Sequence, residues 1–241
     1  MLENYLMNFT HLDCWFPRWK NVNLLEYYCL NFSHLDLGVL ELVSLPNLKV
    51  LLLDSVILPS DDSVRRLVRG CKLLEDLSLF RCSFVRVDVL DISIPSLRKL
   101  SFNIGDSPVI NFIFEHGIQR AKLVIDTPNL EFFEYRGQET EFHFVKELKS
   151  LARAEISFIS RVQYREKVSE FINKMRGVKS LYLSYNAVEA MYPSCSSLCM
   201  FGNLTCLDLG FFNLRRLPSI LESAPQLEQL VILKVSSVEL F

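Results

Sequence analysis

The chain has 241 residues and a formal net charge of −2; 50% of its residues are apolar and 22% are charged. That supplies ample material for a packed interior and excludes disorder as an overall description. It also argues against a polyanion partner, because proteins that neutralise a phosphate backbone carry a positive excess or a basic stripe.

The start, residues 1–9, lacks the positive charge and long apolar core of a secretory signal. No run reaches the roughly 18 apolar residues that span a bilayer, and the most apolar stretch, residues 39–58, is broken by Glu41, Pro46, Lys49 and Asp54. Seven cysteines at irregular spacings do not make the even framework of a disulfide-stapled secreted domain. A cytoplasmic or nuclear protein with no membrane segment is expected. With 8 Gly, 9 Pro and no Gly/Ser-rich or Pro-rich run, no linker divides the chain.

Two near-copies open the sequence. Asn8-Phe9-Thr10-His11-Leu12-Asp13 returns 23 residues later as Asn31-Phe32-Ser33-His34-Leu35-Asp36. From Leu48 onward a spacing recurs: an apolar residue, two others, an apolar residue, one other, an apolar residue. Its copies are Leu48/Leu51/Leu53, Leu74/Leu77/Leu79, Leu97/Leu100/Phe102, Leu130/Phe133/Tyr135, Leu151/Ala154/Ile156, Val178/Leu181/Leu183, Leu204/Leu207/Leu209 and Leu227/Leu230/Ile232. Their first positions are separated by 26, 23, 33, 21, 27, 26 and 23 residues, and the long interval holds Leu123-x-Ile125, a candidate extra strand. Phe9/Leu12 and Phe32/Leu35/Leu37 fit the same template. They bring the candidate turns to ten and leave only 16 residues between Phe32 and Leu48.

Alternating apolar residues suit a strand with one buried face, and a unit of some 20–29 residues that cannot bury its apolar side alone does so by stacking on its neighbours. The expected fold is α/β: a curved leucine-rich-repeat solenoid with parallel strands on its concave face and short helices and turns on its convex face. Turns before the strands at Pro46, Pro95, Pro128 and Pro225 set the register. One helix is expected behind an N-cap at Ser60, with Asp61 and Asp62 early, Arg65, Arg66 and Arg69 late and Gly70 at the stop, so this charge cluster reads as a solvated face. A second spans residues 164–176 with Val168, Phe171, Ile172 and Met175 as its apolar stripe, and a short third runs from Pro218 to Ser223. The whole chain, 1–241, is expected to form one domain, with degenerate repeats over 1–47, regular repeats over 48–235 and an unfinished end over 236–241.

Several segments go further than the template. They are Ser44-Leu45-Pro46-Asn47-Leu48-Lys49-Val50-Leu51, Gly70-Cys71-Lys72-Leu73-Leu74-Glu75-Asp76-Leu77 followed by Cys82, Ile94-Pro95-Ser96-Leu97, Thr127-Pro128-Asn129-Leu130-Glu131, Gly177-Val178-Lys179-Ser180-Leu181 and Leu217-Pro218 with Ala224-Pro225-Gln226-Leu227. Together, over roughly residues 20–235, they resemble the repeat region of plant F-box/FBD/LRR-repeat proteins. The resemblance implies that the repeats present a substrate-recognition surface, while an N-terminal F-box docks on the adaptor of a cullin-RING ubiquitin ligase. A protein ligand, a ubiquitination substrate, is thus the expected partner. Adaptor binding is expected only of a longer form with an F-box, since residues 1–45 show no F-box-like helical segment and the FBD region is absent or only begun. The alternative is an F-box-less LRR scaffold or a truncated paralogue without a ligase role.

No catalytic residue, cofactor or metal ligand is expected. Cys195, Cys199 and Cys206 are close in sequence, but no histidine lies near them, so packed thiols are the simpler reading, as for Cys71 and Cys82. The pairs His11/Asp13 and His34/Asp36 are duplicated at repeat spacing, which suits repeat decoration better than acid–base chemistry. The 18 Phe fall mostly on template or flanking positions, so they read as core and not as stacking platforms for nucleic acid. Strand residues alternating with the template point to the concave face: Asp54, Asp76, Ser78, Phe80, Lys99, Ser101, Asn103, Glu134, Arg136, Arg153, Glu155, Tyr182 and Asp208. Phe80 and Tyr182 stand out as aromatic anchors.

Overall fold

Template spacing becomes strand register in the computed structural model. It describes residues 7–8, 24–28, 46–54, 57–58, 60, 65, 68–84, 87–103, 122–137, 141–145, 148–159, 165–191, 200–210 and 217–233. In chain order the strands are β1 (Met7–Asn8), β2 (Leu24–Tyr28), β3 (Val50–Asp54), β4 (Ile57–Leu58), β5 (Asp76–Phe80), β6 (Ser83–Phe84), β7 (Val89–Ile92), β8 (Lys99–Asn103), β9 (Lys122–Ile125), β10 (Phe132–Gly137), β11 (Glu141–Val145) and β12 (Arg153–Phe158). Then follow helix α1 (Arg165–Asn173), β13 (Ser180–Leu183), α2 (Tyr185–Met191), β14 (Cys206–Leu209), α3 (Leu217–Ser223) and β15 (Gln229–Ile232).

One sheet of ten parallel strands runs β1-β2-β3-β5-β8-β10-β12-β13-β14-β15, so every coil adds its strand beside the previous one. The middle template residues, Leu51, Leu77, Leu100, Phe133, Ala154, Leu181, Leu207 and Leu230, are direct partners across it, and so are Leu53, Leu79, Phe102, Tyr135, Ile156, Leu183, Leu209 and Ile232. All template residues from Leu48 to Leu209 are buried to 3% exposure or less, and Leu227, Leu230 and Ile232 at the end of the sheet are half-buried.

The turns before the strands close in one way. Leu74, Leu97, Leu130, Leu151, Val178, Leu204 and Leu227 each donate their amide to the carbonyl three residues back, at 3.0–3.3 Å. Proline suits the second position of such a turn because its φ is preset, which places Pro95, Pro128 and Pro225. Each coil is then tied to the next by a shared acceptor. The Lys49 carbonyl takes the amides of Glu75 and Asp76, the Glu75 carbonyl those of Arg98 and Lys99, and the Arg98 carbonyl those of Glu131 and Phe132. The pattern continues at Glu131, Ala152, Lys179 and Thr205.

The outer layer departs from expectation in its middle coils. Behind β5, β8 and β10 the described residues include strands: β7, β9 and β11 form a parallel three-stranded sheet with Leu90 opposite Leu123 and Ile92 opposite Ile125. The extra strand at Leu123 and Ile125 is therefore present; β7 repeats its alternation in Leu90-x-Ile92, whereas the register of β11 shifts between Phe142 and Phe144. Helices back the later coils. α1 carries the expected stripe, with Val168, Phe171, Ile172 and Met175 buried. It stops at Asn173, ahead of Arg176, because the last turn tightens to three-residue bonds such as Met175 N–H to Ile172 O at 2.9 Å. α2 was not expected; Ser184 caps it, accepting the Ala187 amide at 3.4 Å while also accepting that of Phe158 at 3.0 Å. Behind the sheet, α1 packs against α2, and α2 lies against β12. In the N-terminal helix region, Arg65, Val68, Arg69 and Gly70 are helical and Ser60 is not, while Asp61, Asp62 and Arg66 lie outside the described residues.

The N-terminal register is a second correction. β3 pairs directly with β2, which sets Leu25 against Leu51 and Tyr27 against Leu53, and β1 pairs with β2 through Met7 and Tyr27. The coil before β3 is therefore 26 residues back, not 16. Phe9, Leu12, Phe32, Leu35 and Leu37 lie outside the described residues.

A chain of aromatic rings runs through the core at the middle coils. Phe133 meets Phe102 at 6.4 Å and Phe171 of α1 at 5.8 Å between ring centres, and Tyr135 meets Phe158 at 5.8 Å. Cys71 and Cys82 are buried in the same core, and burial pushes the Cys71 thiol up from 9.0 to about 11. The unfolded thiol ionises first as pH rises, so this contribution to stability is complete below about pH 9 and is lost on the way to pH 11. The urea midpoint is expected to fall over that window, with a shallower fall in Cys71→Ala. Parallel slopes for the two proteins would contradict it.

Candidate functional site

The face of the ten-stranded sheet turned away from the core carries three rows of side chains, because strand residues alternate and the register holds from coil to coil. The first row runs Val50, Asp76, Lys99, Phe132, Arg153, Ser180, Cys206 and Gln229 across successive strands. The middle row runs Leu52, Ser78, Ser101, Glu134, Glu155, Tyr182, Asp208 and Val231, and the third holds Asp54, Phe80, Asn103, Arg136 and Ser157. All thirteen residues expected on this face lie in these rows.

Exposure divides them. Asp54 is 6% exposed and acts as a strut: Arg81 grips both of its oxygens, Nε to Oδ1 at 2.8 Å and Nη2 to Oδ2 at 2.6 Å. This bond holds the Arg81 proton more firmly than in free arginine. Arg81 also donates its amide to the Asn103 carbonyl at 2.6 Å, packs over Phe80, and has a left-handed backbone at φ 51°. One residue thus clamps β3, β5 and β8. Arg81→Ala is expected to cost about 2 kcal/mol, a paired-charge hydrogen-bond value discounted for the half-exposed guanidinium. Arg81→Gly should cost less, since glycine relieves the left-handed backbone. Urea denaturation measures both, and a glycine variant weaker than the alanine variant would sink the strain argument.

Four of the remaining charges pair locally. Lys99 Nζ lies 3.2 Å from Asp76, and Arg153 lies 2.7 Å from Glu155 on its own strand. Glu134 and Asp208 form no ion pair among the described residues; the Cys206 thiol donates a long, weak hydrogen bond to Asp208 Oδ1 at 3.9 Å. Tyr182 leans over the end of β14, where a Cβ on Gly210 would meet its hydroxyl at 2.7 Å. Along the rim, Lys49–Glu75 at 2.7 Å and Arg98–Glu131 at 2.6 Å tie neighbouring coils. Lys49 holds the Glu75 carboxyl below its usual range, and Glu131 raises Arg98. These pairs are exposed and add little stability.

The sequence reading missed one anchor. Phe132 is half-buried in the first row, between Lys99 and Arg153, whose charged groups each lie 5.8 Å from its ring centre. It sits one residue before Phe133, and the stronger template match hid it. Cys206, placed with the packed thiols, lies half-exposed on the face. Cys195 and Cys199 lie outside the described residues. Among the described residues no group of three His, Cys, Asp or Glu side chains converges as a metal site would need. No helix there is long and apolar enough to cross a membrane. Chemically, such a surface offers ion-paired charges, the three aromatic rings of Phe80, Phe132 and Tyr182, and two carboxylates outside any ion pair to a second macromolecule.

Residues 47–71 match the family model of the leucine-rich repeat. A putative F-box/FBD/LRR-repeat protein of Arabidopsis thaliana is 31% identical over 81% of this chain and 45% of its own length. An FBD-associated F-box protein of the same plant is 29% identical over 80% of this chain and 43% of its own, and an F-box/LRR-repeat protein is 31% identical over 78% and 41%. The chain spans less than half the length of these curated relatives. No solved structure matches it.

Proposed function

The chain is a leucine-rich-repeat protein-interaction module of the plant F-box/FBD/LRR-repeat family, and from that premise we propose that it selects the substrate of an F-box-type ubiquitin-ligase receptor, its open sheet face being the recognition surface. The observation that carries this reading is the three-row face itself, where charged and aromatic side chains stand at one strand spacing on a frame tied coil to coil. A rigid array of this kind fixes many weak contacts at once, which gives specificity at low ordering cost. On this reading, residues 1–241 act as one repeat unit in the cytosol or nucleus, and binding, not turnover, is the activity.

The test uses a photo-crosslinking amino acid at Phe132 or Tyr182 on the face, and at Arg165 or Glu170 on the outer helix, in the full chain expressed in Arabidopsis cells. Partner adducts should form from the face positions and not from the helix. The half-life of the captured protein should change when the chain is overproduced. Equal capture from α1 would overturn the choice of face. A partner held at the face with unchanged turnover would overturn the ligase role and leave a scaffold.

A further inference from the structure

We infer that the open face between β8 and β14 takes an extended protein segment bearing two lysine or arginine side chains four residues apart. The inference rests on the reading of this face as the recognition surface and adds the chemistry of the partner. In the middle row Ser101, Glu134, Glu155, Tyr182 and Asp208 stand on successive strands in register. Arg153 already pairs with Glu155, whereas Glu134 and Asp208 form no ion pair among the described residues, although Arg136 stands two residues from Glu134 on the same strand.

A second observation points the same way. Ser101 is only 7% exposed, and its Oγ has no hydrogen-bond partner; the buried Oδ1 of Asn103, two residues along the same strand, has none either. Polar atoms removed from water are nearly always paired, because leaving them unpaired is costly. Carboxylate and amide oxygens only accept hydrogen bonds, and a hydroxyl both donates and accepts. The carboxylates of Glu134 and Asp208, like the Asn103 oxygen, take only donors: backbone N–H groups, ammonium or guanidinium. A polyanion would meet two carboxylates of its own sign.

Spacing selects an extended segment. Glu134 on β10 and Asp208 on β14 are three strand steps apart, roughly 14 Å at about 4.8 Å per step, too far for one metal ion to bridge. An extended chain advances about 3.4 Å per residue, so positions i and i+4 are separated by roughly the same 14 Å and point to the same side. Lys99 and Arg153 in the first row and Arg136 in the third border the track and repel a cation that strays from it. Tyr182, beside Asp208, offers its ring to the stem or charge of the second cation.

The probe is a random twelve-residue phage-displayed library panned on the folded chain, followed by fluorescence anisotropy on the winning synthetic peptide. Enriched peptides should carry Lys or Arg at i and i+4. Glu134→Gln and Asp208→Asn should each weaken binding on the order of tenfold. The double variant Glu134→Lys/Asp208→Lys should prefer the peptide whose two cations are replaced by glutamate. Ser101→Ala should leave the urea midpoint unchanged or higher, as its hydroxyl loses no partner. Circular dichroism establishes that each variant is folded. No enrichment, an acidic or apolar consensus, or unchanged affinity in the carboxylate variants overturns the inference. Alkylation of Cys206, read by peptide mass, separates the two claims. Peptides that protect it without basic spacing sink only the partner chemistry, and peptides that bind while leaving it open sink the reading of the face.

Discussion

Phe133→Ala is expected to lower the stability of the protein by about 4 kcal/mol, the usual cost of emptying a large buried aromatic site. Phe133 has no exposed surface, pairs with Leu100 on one side and Ala154 on the other, and touches rings from the coil before it and from α1 behind. It therefore joins three coils. In a stacked-repeat protein stability is a sum of coil terms and nearest-neighbour interfaces, so a hole at this point weakens two interfaces together. Whole domains are stable by only about 5–15 kcal/mol. The coils on either side should then melt separately, and the single urea transition should split in two. Exposure of Cys71 and Cys82, on the N-terminal side, followed by thiol labelling and compared with far-ultraviolet circular dichroism, reports the split. Phe133→Leu, which keeps most of the volume, should cost only about 1 kcal/mol. A loss below about 1 kcal/mol in Phe133→Ala, or coincident transitions, would show that the middle coils are not held by this ring.

What was legible in the sequence follows from periodicity. The template residues from Leu48 to Ile232 were readable because a strand buries alternate residues and the turn before it buries one more, and that pattern survives any change in the outer layer. The N-terminal coils were misread for the opposite reason. The two Asn-Phe-(Thr/Ser)-His-Leu-Asp copies are more alike than any pair of true strands. Likeness of letters is not register, and it is Leu25 and Tyr27 that meet Leu51 and Leu53. Among the outer strands only that at Leu123-x-Ile125 was expected; β7 escaped because a four-residue alternation such as Leu90-x-Ile92 is too short to separate from a turn by pattern alone.

The face was legible in position but not in state. Period two puts Asp54 and Glu134 on the same side, yet one is sealed under Arg81 and the other forms no ion pair among the described residues. The difference lies in a contact across 27 residues and a left-handed φ at Arg81, which no local pattern encodes. Phe132 shows the converse. Its neighbour Phe133 satisfied the template, and only the structure reveals the first ring between two cations.

Ala154 is the one template position from Leu48 onward filled by a small residue, and restoring the expected leucine there should be destabilising. Ala154 has no exposed surface and stands in register between Phe133 and Leu181. Helix α1, which follows its strand, sends Phe171 to within 5.8 Å of the Phe133 ring. Two rings thus fill the level that elsewhere takes one leucine from each strand, and the alanine is the compensation. Ala154→Leu adds three carbons to a space already packed at crystal density, so a cost of roughly 2–3 kcal/mol is expected. If Phe133 and Ala154 share one volume, then Phe133→Leu with Ala154→Leu should cost at least about 1 kcal/mol less than the two single changes together, since residues in contact couple by that order. Urea midpoints at constant slope for the wild type, both singles and the double complete the cycle. Additive losses would mean that the small residue answers to the backbone of β12 and not to the ring beside it.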